Sequence, residues 1–188
     1  LLRPLLAEIA GAELIRVHGD CHGGNILWRD DTAHFVDFDD CMSAPAIQDL
    51  YDEGFQVCYG CGAKNPDGLQ LKSFRDGERV IARHTPRDSA LAIPGVVYGG
   101  LIASLIDCHG IATGAAHFQP DPLGTPPRCV TGALHVDYRR PTPMNGQPIE
   151  LSARVVEASD RKAVAEVKVT VDGELTAEGR VVAVKLRV

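Results

Sequence analysis

Between Gly95 and His117 the chain reads GVVYGGLIASLIDCHGIATGAAH, and no other stretch constrains the fold as strongly. A helix here starts at paired glycines. Leu101, Ile102, Ala103, Leu105, Ile106, Ile111 and Ala112 leave it little polar face. Such a helix has to be covered on most of its circumference. No run of about 18 uncharged apolar residues accompanies it, so no membrane span is expected and the cover must be protein. The downstream pattern supplies that cover. A Pro/Gly loop, FQPDPLGTPPR, leads into strand candidates at Cys129–Tyr138, Ile149–Ala158, Ala163–Val171 and Leu175–Leu186. The last three alternate apolar and polar residues, as a sheet with one covered face requires. Asp172-Gly173 marks a tight hairpin, and GERVIARHT is one more strand ahead of the helix. The expected class is α+β: a long helix wrapped by a curved antiparallel sheet, with a second subunit closing the remaining face.

Composition narrows the function classes. The net charge is −6 and no basic block stands out. Nucleic acid is therefore not an expected partner, because phosphate neutralisation needs clustered Lys and Arg. Hydrophobic residues at 45% and charged residues at 23% match soluble globular proteins. Six cysteines without a visible leader read as reduced thiols, and the expected location is cytoplasmic.

The first 56 residues have a different character. Leu1–Ala12 has helical apolar spacing, Ile15–His18 reads as a strand, and Ile26–Trp28 with His34–Phe38 reads as a hairpin around RDDT. PAIQDLY is expected to begin a helix with Pro45 in its first turn. Phosphoryl transfer needs an orienting carboxylate and hard oxygen ligands for magnesium. Asp20 suits the first role, and Asn25 and Asp37 the second. HGDCHGGN, the later DFDD and the trailing PAIQDL together resemble the aminoglycoside phosphotransferase and choline kinase superfamily, in particular the bacterial stress response kinase A group. That likeness implies a small-molecule kinase. Kinases of this type also need a nucleotide-binding lobe, for which the 17 residues ahead of His18 leave no room. Residues 1–56 are therefore read as an incomplete kinase-like remnant, with a seam near Asp52–Val57.

Residues 57–188 carry a second likeness. CYGCGAKNPDGLQL, PGVVYGGLIASLIDCHGIA and HVDYRRPTPMNGQPIEL, in that order, resemble the hotdog-fold acyl-CoA thioesterases of the phenylacetate-pathway type. The resemblance implies hydrolysis of acyl-CoA without a metal or organic cofactor, by a homodimer or homotetramer with pockets between subunits. It also implies that the helix carboxylate, Asp107 here, is catalytic. Many relatives have histidine where this chain has Tyr98, which leaves a phenol hydroxyl as the polar group at that point.

The residues themselves point the same way. The helix-start N–H groups of Gly99 and Gly100 are unpaired and electropositive, so they suit a thioester oxygen gaining negative charge. Asp107 follows Gly100 by two helical turns at nearly the same azimuth, where a carboxylate activates water or attacks the carbonyl. Ser104, one turn earlier, is expected to bond that carboxylate or the water. His109 lies about 200° away from Asp107 and is expected to pack. Asn65 sets a turn, and by the resemblance it borders the substrate channel. His135 faces either the site or solvent. Arg139 and Arg140 either close a strand or hold the phosphates of coenzyme A. Cys58 and Cys61 form C-x-x-C, which binds zinc or undergoes redox chemistry. With no second such pair in the chain, no metal is expected. A purely acyl-CoA-binding hotdog protein is the other alternative.

Overall fold

The structure is a computed structural model that describes residues 14–17, 26–29, 32–35 and 42–187. In the kinase-like segment, β1 (Leu14–Val17) pairs antiparallel with β4 (Met42–Pro45), and β2 (Ile26–Arg29) pairs with β3 (Thr32–Phe35). A strand and a hairpin are present there, the second hairpin strand at Thr32–Phe35 where 34–38 was expected; residues 18 and 36–38 of the expected strands lie outside the described residues. The expected Leu1–Ala12 helix and the candidates Asp20, Asn25 and Asp37 lie outside the described residues.

The expected PAIQDLY helix is corrected. Pro45 ends β4, Ala46 is extended, and only a 3-10 turn, Ile47–Leu50, follows before Tyr51 returns to extended backbone. Burial explains the short turn. Ile47 packs with Val80, Ala112 and Ala116, and Gln48 is buried beside Ser73. Continued helix would carry the following side chains away from those contacts. Residues on the kinase-like side of the expected seam thus sit on the core of the other segment.

The rest is one sheet around one helix. Strands β5 (Ser73–Asp76), β6 (Arg79–His84), β7 (Leu91–Ile93) and β8 (Val96–Val97) precede helix α1 (Gly99–Phe118). Strands β9 (Cys129–Tyr138), β10 (Ile149–Ala158), β11 (Lys162–Val171) and β12 (Glu174–Lys185) follow it. The main sheet has the order β5-β6-β10-β11-β12-β9, each neighbouring pair antiparallel. Asp172 and Gly173 both take positive φ, 52° and 77°, and close the β11–β12 hairpin as expected. The expected strand limits hold to within a residue or so, whereas β5, β7 and β8 were not anticipated.

Alternation places the core. In β11, Ala163, Ala165, Val167, Val169 and Val171 are buried and their neighbours are more exposed. Leu151, Val167, Val169 and Val181 meet Leu101, Ile102, Leu105 and Ile106 of the helix. Gly110 lets the helix approach closely, because a Cβ there would lie 2.4 Å from Val181. Residues 101, 102, 105, 106, 109, 110 and 112–116 are buried, whereas 99, 100, 103, 104, 107, 108 and 111 are half-buried. The half-buried set recurs at intervals of three and four, so it is a single stripe along the helix. No helix of the described residues is long and apolar enough to cross a membrane.

Candidate active site

The start of α1 forms the floor of a cavity of about 730 Å³. The two-stranded ribbon β7–β8 positions that start: Tyr98 N–H donates to Ala90 at 2.9 Å, and Val97 N–H donates to Thr142 at 2.9 Å. Tyr98 is the extended residue that caps the helix, and its side chain makes no capping bond. The N–H groups of Gly99 and Gly100 have no partner within the helix, as at any helix start. Tyr98, Gly100, Leu101 and Ser104 line the cavity. The Tyr98 ring lies across Gly100, where a Cβ would come within 2.3 Å of it, so a larger residue here would displace the exposed ring. Gly99 is tied to β9, its carbonyl accepting a 2.7 Å bond from the Tyr138 hydroxyl.

Asp107 continues the stripe beyond the cavity and is not part of its wall in the single chain. The Thr131 hydroxyl of β9 donates to Asp107 Oδ1 at 2.7 Å. Burial pushes the Asp107 carboxyl above the usual carboxylate range. Thr131 pulls it back, and negative charge on Cys58 adds to the upward push. Asp107 is half-buried, so it is neither sealed in a dry contact nor fully solvated.

Other expected residues have different partners. Ser104 does not reach the carboxylate: its hydroxyl donates to the Gly100 carbonyl at 2.9 Å, the back-bonding common for serine within helices. Asn65 is absent from the cavity wall and shapes its loop instead. It donates to the Val57 carbonyl at 3.2 Å and accepts from Asp67 N–H at 3.2 Å, while Asp67, Gly68, Leu69 and Gln70 line the cavity. His135 is exposed and lies 3.3 Å from Asp137. Arg139 pairs with Glu178, and Arg140 with Glu174 at 2.6 Å; both arginines are exposed and away from the cavity.

His109 packs as expected, with both ring nitrogens engaged. Its Nε2–H donates to the Val80 carbonyl at 3.0 Å, and its Nδ1 accepts from the Ser73 hydroxyl at 2.9 Å. Gln48 donates to that same hydroxyl at 2.9 Å and accepts from Ser73 N–H at 2.8 Å. Burial holds His109 down to about 4, although the Val80 bond favours its charged form.

The sequence reading missed three participants. Arg87 lines the cavity and donates to the Pro66 and Gly68 carbonyls at 3.4 and 3.3 Å. His84 lines it too, held below the ordinary histidine value by burial and then by Arg87. Thr131 is the partner of Asp107. The HTPRDSA stretch just ahead of the glycine helix start was the available signal for His84 and Arg87; nothing local marks Thr131.

Comparison with known proteins matches two families to two separate stretches of the chain. Residues 1–59 match the model of the phosphotransferase enzyme family, and residues 94–178 match that of the thioesterase superfamily. Stress response kinase A of Shigella flexneri is 63% identical over 38 residues, which are 20% of this chain and 11% of that protein. The chain thus spans about a tenth of the length of the curated relatives it matches. A thioesterase superfamily protein from Shewanella loihica PV-4 is 47% identical, with a TM-score of 0.54, covering 62% of this chain and 91% of that one. A mutant of the phenylacetic acid degradation protein PaaI from Thermus thermophilus is 25% identical with a TM-score of 0.50, covering 63% of this chain and 95% of that one. With its long helix inside an antiparallel sheet, the chain belongs to the thioesterase superfamily and has the hotdog fold.

Proposed function

We propose that the protein hydrolyses acyl-CoA thioesters to a free acid and coenzyme A. The observation that carries this reading is the half-buried helix stripe. It runs from the helix start, where Gly99 and Gly100 have unpaired N–H groups and Gly100 lines the cavity, to the Asp107 carboxyl two turns on. The thioester oxygen accepts from the helix-start N–H groups, which match charge that develops during attack. Asp107 takes the proton from water, the resulting hydroxide adds to the carbonyl carbon, and collapse expels the thiolate of coenzyme A. Raising the carboxyl toward neutral pH suits a general base, because its proton affinity then approaches that of the working medium.

A second copy of the chain completes the enclosure. Strand β9 is an outer strand of the sheet and exposes Val130, Leu134 and Tyr138 at 42%, 41% and 54%. It holds Thr131 against Asp107 and Tyr138 against Gly99, so a subunit seated along β9 also roofs the helix stripe. Arg87 is the cation that the cavity itself offers to the phosphates of coenzyme A, Arg139 and Arg140 being engaged with glutamates.

The test is coenzyme A release from acyl-CoAs of graded chain length, with wild-type protein beside Asp107→Ala. Release by wild type alone supports the reading. Equal release by both removes Asp107 from its role. Binding without release by wild type makes the protein an acyl-CoA binder, the alternative favoured by the Tyr98 ring lying across Gly100. For the kinase-like segment the corresponding measurement is ATP binding, which would favour the small-molecule kinase reading.

A further inference from the structure

A cluster outside the proposed chemistry stands beside it. Cys58, Cys61 and Cys108 bring their three sulfurs within 4.8 Å of one another. Cys58 and Cys61 belong to the loop C-Y-G-C-G, and Cys108 comes from the middle of α1, 50 residues after Cys58. Cys58 Sγ and Cys108 Sγ are 3.9 Å apart. Two thiolates sharing a tetrahedral zinc at about 2.3 Å are separated by about 3.8 Å, whereas a disulfide requires about 2.05 Å. The loop turns back on itself between its two cysteines, Gly62 N–H donating to the Cys58 carbonyl at 2.9 Å. Gly60 is needed for the third sulfur, because a Cβ there would lie 2.0 Å from Cys108 Sγ. Cys61 is buried, whereas Cys58 and Cys108 are half-buried, which leaves an approach for an ion.

We infer that Cys58, Cys61 and Cys108 form a binding site for a thiophilic divalent cation, zinc above all, with a fourth coordination position open to water. Binding of a cation would displace the thiol protons, so affinity should rise with pH. The bound ion would clamp the loop to the helix one residue from Asp107. The same loop supplies Tyr59, Gly68, Leu69 and Gln70 to the cavity wall, and it is zipped by Leu69 N–H to the Tyr59 carbonyl at 2.7 Å and Leu71 N–H to the Gly60 carbonyl at 3.0 Å. The role is structural, so it stands whether or not the proposed hydrolysis does.

Cobalt titration tests it. The 188-residue chain carrying Cys21→Ser and Cys41→Ser is stripped with chelator under reductant and titrated with Co²⁺. The expected result is one equivalent per chain with thiolate-to-cobalt charge-transfer absorption, displaced by Zn²⁺. The absorption should be lost in Cys58→Ser, Cys61→Ser and Cys108→Ser and kept in Cys129→Ser. Circular dichroism of each variant separates loss of ligand from loss of fold. In unsubstituted protein, zinc should protect Cys58, Cys61 and Cys108 together from maleimide labelling. No charge-transfer absorption, absorption that survives Cys108→Ser, half an equivalent per chain, or labelling unaffected by zinc would each overturn the assignment.

Discussion

Asp107 and His109 stand two residues apart on α1 and meet opposite surroundings. His109 faces the sheet, is fully buried, and spends both ring nitrogens on Ser73 and Val80. Asp107 faces the open stripe, and its Oδ1 accepts from Thr131 while Oδ2 has no protein partner among the described residues. Desolvation pushes both toward their neutral forms, the histidine downward and the carboxyl upward. Perturbed ionisation therefore does not distinguish a working group from a packed one here. Of the two, only Asp107 keeps spare hydrogen-bonding capacity, which is what the proposed role of a base requires.

The comparison breaks most directly at the carboxylate. Asp107→Ala is expected to lower kcat for coenzyme A release by about 10²- to 10⁴-fold, the range for losing a general base, with the thermal transition nearly unchanged. His109 should act on stability instead. Its folded value of about 4 lies below the ordinary 6.5, so the unfolded chain binds the proton more readily between those values. Its stabilising contribution is complete above pH 6.5, declines as pH falls toward 4, and amounts to about 3 kcal/mol once lost. Denaturant unfolding of wild type against His109→Gln across that window measures it. An equal slope in both proteins would remove His109 as the source. Gln48→Ala should cost about 1–3 kcal/mol in the same assay, because Ser73 N–H is left buried without its acceptor. Thr131→Val removes the hydroxyl that lowers the Asp107 value, so the acid limb of kcat/KM should move to higher pH. The smallest effect belongs to Ser104→Ala, about threefold or less in kcat/KM, since the hydroxyl is engaged with Gly100 rather than with the carboxylate.

Much of the frame was legible in the residues. Paired glycines before an apolar run gave the helix start, strict alternation gave β10 to β12, and Asp172-Gly173 gave their turn. These are local signals, written within a dozen residues. Strands β5, β7 and β8 are two to four residues long, too short for alternation to register. The Cys58–Cys108 and Asp107–Thr131 contacts join residues 50 and 24 positions apart. Only the wrapping of the sheet decides such pairings, and no spacing rule anticipates them. The stripe of half-buried positions was only partly legible: Gly100, Ser104 and Asp107 share an azimuth, but Ala103, Cys108 and Ile111 are apolar and give no sign of which face the sheet leaves open in the single chain.

The hydrogen-bonded chain from Gln48 through Ser73 to His109 has a practical corollary for anyone dividing this polypeptide. The seam expected near Asp52–Val57 is not a place to cut. A version beginning at Val57 would strip the lid from Val80, Ala112 and Ala116 and leave Ser73 facing a hollow. A few residues from the stretch that resembles the phosphotransferases serve as flooring for the sheet and helix, and expression of the second half alone must begin upstream of Pro45 to keep them.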